Sequence, residues 1–202
     1  MAAPMAADII DTLAGIAPGS PLDSVRRKRR PTAREHAQKS YDSLFAPADF
    51  GDFGPLERFA IAVFVAGLHG QSAIRDFYAE KLRSSAATDE TRAAIGAEIA
   101  AATTKGPYGA FPTGPLSKED AAGPVHRVAA AHREALGPRL SAAFEHVHML
   151  VFHPRDAAAP SLQSLLDAGW TTTQVVTLSQ LVAFLSFQIR VVAGLKVLAA
   201  KS

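Results

Sequence analysis

No cysteine occurs in the 202 residues. That excludes a disulfide framework, thiolate metal ligands and thiol-based catalysis by this chain. No stretch alternates polar and apolar residues for long enough to suggest a sheet. A glycine-rich phosphate loop and a serine nucleophile elbow are also missing, as is any His-Glu-x-x-His zinc pattern. Residues 1–20 carry Asp8 and Asp11 but no Lys or Arg. A secretory signal needs a basic start and an unbroken apolar run, so a cytoplasmic protein is expected.

Nearly half of the chain, 48%, is hydrophobic, enough to bury a sizeable core. Alanine is abundant and the apolar residues recur at helical spacing. The expectation is an all-α fold. Helices are predicted over residues 8–16, 20–30, 32–45, 56–68, 71–83, 88–103, 121–135, 139–152, 161–168 and 172–200. Ser20-Pro21 marks one start, and Thr32 with Glu35 reads as a capping box for the next. Pro18 and Gly19 stop the first helix, Gly70 ends or kinks another, and Thr171 or Thr172 caps the last. Residues 46–55 and 105–116 are rich in Gly and Pro and are read as loops. The first of these divides an N-terminal helical extension, 1–50, from a main helical domain, 51–202.

Arg26, Arg27, Lys28, Arg29, Arg30 and Arg34 crowd into one segment without an acid. No aromatic platform or nucleic-acid-binding motif accompanies them. A solvated helix pairing with acids elsewhere is expected, and no nucleic-acid partner. Residues 171–189 lack charge, yet they hold Ser179, Gln180, Ser186 and Gln188, and Arg190 follows directly. A buried bundle helix is expected there, and no membrane span. It has apolar residues on nearly every side, so a second chain is expected to share it, in a homodimer or higher oligomer.

Two segments carry a family resemblance. LERFAIAVFVAGLHGQSAIRDFYAEKL, at 56–82, resembles the core helical pair of the carboxymuconolactone decarboxylase / alkylhydroperoxidase-D (AhpD)-like superfamily. GWTTTQVVTLSQLVAFLSFQIRVVAGLKVL, at 169–198, resembles its last helix, with Arg190 at the position of a characteristic arginine. The resemblance implies an AhpD-like multi-helix bundle that assembles with copies of itself. Redox members use two cysteines, a histidine and a glutamate. Matched through Gly70, those positions fall on Gln71, Ile74, Tyr78 and Phe59, and Glu57 matches an opening residue of the motif. The chain is therefore expected not to turn over hydroperoxides.

Other members act by proton transfer on a small carboxylated lactone without a cofactor. By that resemblance, a pocket near Gly70 would use His69, Tyr78 and Glu57 for catalysis. Gln71, Arg75 and Arg190 would hold a small carboxylated ligand. No cofactor is expected. The alternative is a silent homologue, an interaction or scaffold subunit beside a cysteine-containing relative in peroxide defence. Its Gly70 space would be filled by Phe59, Ile74 and Tyr78. The remaining histidines cluster in sequence at His126, His132, His146, His148 and His153. His146 and His148 point about 200° apart on a helix and cannot share one ion, so no metal site is expected.

Overall fold

The computed structural model describes residues 8–200. They form nine α-helices and no β-strand: α1 (Ile9–Ala14), α2 (Pro21–Arg29), α3 (Pro31–Phe45), α4 (Pro55–Leu68), α5 (Ser72–Arg83), α6 (Asp89–Ala102), α7 (Arg133–Phe152), α8 (Ala159–Asp167) and α9 (Thr172–Ala199). Local chemistry sets most of these boundaries. The hydroxyl of Ser20 accepts from the N–H of Asp23, with Pro21 at the first helical position. Thr88 caps α6 in the same way, and Thr171 and Gln174 form a reciprocal box at the start of α9. Gly70, at φ +65°, reverses the chain between α4 and α5.

Helix α4 is the centre of the molecule. Ala60, Ile61, Ala62, Phe64, Val65 and Ala66 have no exposed surface. A helix apolar on all sides must be enclosed, and α5, α6, α7 and α9 pack around this one. Helix α6 crosses it closely at Gly67, where a Cβ would lie 2.6 Å from Ile99 Cγ2. Helix α9 turns Leu178, Leu181, Leu185 and Ile189 inward. It is long and apolar enough to cross a membrane by length and composition, and its inner face packs on α1, α3, α4, α7 and α8. Residues 8–45 join the same core, through Ile9, Ile10, Ala37, Leu44 and Phe45.

The structure corrects three local expectations. Helix α1 ends at Gly15, φ +71°, before Pro18 is reached. Helix α3 starts at Pro31, whose ring presets a helical φ, and no side chain caps it; Glu35 instead pairs with Lys39. No helix spans 121–135. Gly123 lies against the Tyr108 ring, Pro124 lacks an N–H, and the N–H groups of Val128 and Ala129 donate to the carboxylates of Glu145 and Glu98. Residues 122–129 carry no regular structure, and only a 3₁₀ turn at Ala130–His132 precedes α7. Gly137, at φ +71° and ψ 171°, is non-helical and divides α7 into two helical pieces, so the break expected at Gly137-Pro138 is present.

The basic segment is tied to acids nearby. Arg26 and Arg34 both pair with Asp11, Arg34 at 2.7 Å, and Arg27 reaches Asp23 at 2.7 Å.

Candidate functional site

The residues expected to meet near Gly70 do not form one site. Tyr78 is fully buried, and its hydroxyl donates to Gln188 Oε1 at 2.7 Å. Burial pushes that phenol well above its usual pKa, so it is a packing and hydrogen-bonding group. Phe45 stacks on Phe59 and packs at a tilt against Tyr78, and Ile74 is 1% exposed. The space is thus packed with side chains. His69 caps α4, with Nε2 3.4 Å from Ser186 Oγ. Burial, and then Arg190, depress its pKa. Arg190 itself is exposed and donates to the Ser186 carbonyl. Gln71 precedes α5 without capping it by its side chain.

Two candidates lie elsewhere. Arg75 forks onto the adjacent Asp76 and lines a 200 Å³ cleft between α5 and α6. Glu57 sits at the opposite end of α4 from Gly70, 2.7 Å from Arg139 Nε. Arg139 also donates to the Gly169 carbonyl and lies over the Trp170 ring, clasping α4, α7 and the start of α9.

A different constellation converges beneath residues 121–132. Glu98, on α6, is 1% exposed, and its carboxylate meets two imidazoles. His132 Nδ1 is 2.5 Å from Oε1, which also accepts from the Ala129 N–H at 3.1 Å. His126 Nε2 is 3.0 Å from Oε2, off the line of an ideal hydrogen bond. A carboxylate on Nε2 favours the tautomer with its proton there and the lone pair on Nδ1. Burial outweighs Glu98 and Glu145 and lowers the His126 pKa, so the ring is neutral near pH 7 and able to accept a proton.

Behind His126 lies His148, with ring centroids 5.3 Å apart, and then His153 at 5.7 Å. His148 Nε2 donates to the Ala102 carbonyl at 3.2 Å, which leaves buried Nδ1 without a partner. Burial, with His126 and His153 as neighbours, pulls its pKa down to about 4. His153 Nδ1 contacts Asp156 Oδ2 at 3.1 Å. His146 points elsewhere on α7, into the cleft described next, and burial lowers its pKa too. Among the described residues no three such donors are placed to hold one metal ion.

His126 opens on a cleft of about 310 Å³ between residues 125–127, α7 and α8, which Glu145, His146, Ser161 and Ser164 also line. Arg127 and Arg133 each reach Glu145 at 2.6 Å. The cleft lining itself holds one guanidinium, Arg127, beside two carboxylates, Glu145 and Asp156.

The chain matches no family model, no curated protein and no solved structure. The assignment of a site accordingly rests on this geometry.

Sequence reasoning missed Glu98, although one signal was present. Ala94, Ile95 and Ala102 are buried on α6, and helical spacing places Glu98 on their face. A lone acid in an apolar stripe needs a buried partner. The helix expected over 121–135 hid which histidines would supply it.

Proposed function

We propose that the chain is a cofactor-free enzyme that moves a proton on a small organic acid or lactone, with His126 as the base. The observation that carries this reading is the His126 contact to buried Glu98 at the edge of a cleft. A neutral imidazole oriented by a carboxylate is suited to general acid–base work near neutral pH. Arg127, exposed at the rim and paired with Glu145, is the guanidinium in the cleft lining that a substrate carboxylate would engage. The proposed reaction class is that implied by the resemblance to carboxymuconolactone decarboxylases. Its residues here are Glu98, His126 and Arg127 in place of the Gly70 group.

The assay follows deuterium uptake from D₂O by nuclear magnetic resonance across a panel of 2-oxo acids, β-keto acids and unsaturated lactone carboxylates. At least one class should exchange or lose CO₂ with the native chain. His126→Asn should slow that reaction about 10²–10⁴-fold. No exchange above a heat-treated control across the panel would refute the reading.

A second reading, a scaffold subunit beside a cysteine-containing relative, draws on the packed Gly70 region and on the outer face of α9. Val176, Phe187 and Val197 are about half exposed there, at 57%, 46% and 57%.

A further inference from the structure

Glu98 is shared. His126 approaches one of its oxygens from the cleft side, and His132 approaches the other from a side that meets water. The His126 side chain is 6% exposed and that of His132 is 29% exposed. One buried carboxylate can balance one imidazolium. Protonating both rings would leave an uncompensated positive charge in the interior, beside His148. The charged and titratable groups facing His126 are Glu98 from α6, Glu145 and His148 from α7, and Arg127 from its own segment. Phe64 of α4 covers its ring. His132 faces Glu98.

We infer that Glu98 couples His126 and His132 into a proton exchanger, in which one added proton resides on either ring but not on both. This rests on the reading of His126 as the base. In the forward direction a substrate C–H or O–H bond breaks and its electron pair stays on the substrate. The proton forms an N–H bond at His126 Nδ1. Where the added proton starts on His132, that ring loses its Nε2 proton to water. Glu98 remains a carboxylate throughout. The cleft thereby gives up a proton, solvent receives one, and the net charge around Glu98 does not change. His126 keeps the proton it has taken until Nδ1 releases it to the product or to water in the cleft, when His132 Nε2 takes one back from solvent.

The test is a histidine titration by nuclear magnetic resonance on the ¹³C,¹⁵N-histidine-labelled full chain, native and His132→Asn. The Asn amide nitrogen stands where His132 Nδ1 does and can still donate to Glu98, so the variant should fold. Without the competing cation, the His126 midpoint should rise by about one pH unit. His36, exposed on α3, should not move. In Glu98→Gln the His126 midpoint should instead fall. An unchanged His126 midpoint in His132→Asn, or a His126 ring that never titrates in the folded protein, would overturn the coupling.

The exchange assay separates this failure from that of the catalytic reading. If the catalytic reading alone fails, no substrate exchanges, yet the coupled titration persists. If the coupling alone fails, the native chain turns over, and His132→Asn leaves the acid limb of its pH–rate profile in place. If both hold, that limb moves up with the His126 midpoint.

Discussion

At the residue scale, burial decides which groups keep their ordinary chemistry. His148 shows this most simply. It is 1% exposed, bonded through one nitrogen, and held to a pKa of about 4. In the unfolded chain it would titrate near 6.5. Its contribution to stability is therefore complete above that value. It is lost as pH falls towards 4, because the unfolded state takes up a proton that the folded state refuses. Chemical denaturation between pH 7 and pH 4 should show a loss of roughly 2–3 kcal/mol from this residue. His148→Leu should flatten that slope, and an unchanged slope would mean that other groups cause it. The residues named from the family resemblance behaved differently. Tyr78 and Ile74 lie on the inward side of α5, so their identity reports packing, while Arg75, on a more exposed side, is held by Asp76. Nothing in the linear order marks Gln188, over a hundred residues away, as the acceptor for the Tyr78 hydroxyl.

Among the elements, those with strong periodicity and good caps were legible. Ser20-Pro21, Thr88 and Thr171 sit where their chemistry demands, and the apolar stretch from 56 to 68 is the enclosed centre of the fold. The segment 103–129 was not fully legible. Its backbone is satisfied by distant carboxylates and carbonyls, such as the Phe152 carbonyl that accepts from the Tyr108 N–H. Such partners leave no periodic trace in the sequence, and this segment delivers His126 to Glu98. The close crossing of α4 and α6 makes a separate prediction. Gly67→Ala would drive a methyl into Ile99, at 2.6–2.8 Å from three of its carbons. Urea unfolding should show a net loss of about 1–2 kcal/mol despite the higher helix propensity of alanine. Ile99→Val in the same chain should recover part of it. A more stable Gly67→Ala protein would show that α6 can move aside at no cost.

For the whole molecule, the outstanding surface is that of α9. Its inner face completes the core, while Val176, Ala183, Phe187 and Val197 on its outer side are exposed. Exposed apolar residues aligned on one helix, here with Gln180 and Arg190 among them, are what an interaction surface would offer. We propose a homodimer formed across this face, with an interface of the obligate kind, over about 2,000 Å². Sedimentation equilibrium across the micromolar range should report the dimer mass, and a folded species of 21.3 kDa throughout would contradict it.

The catalytic proposal places its chemistry at Glu98 and His126, away from Gly70. The sharpest measurement compares His126→Asn with His69→Asn in the deuterium-exchange assay, on whichever substrate class the native chain accepts. Both variants should keep the native helical circular dichroism. His126→Asn should lose about 10²–10⁴-fold in rate, and His69→Asn should stay within about threefold of the native chain. The reverse pattern, with His69→Asn inactive and His126→Asn unimpaired, would contradict the proposal and return the active site to the start of α5.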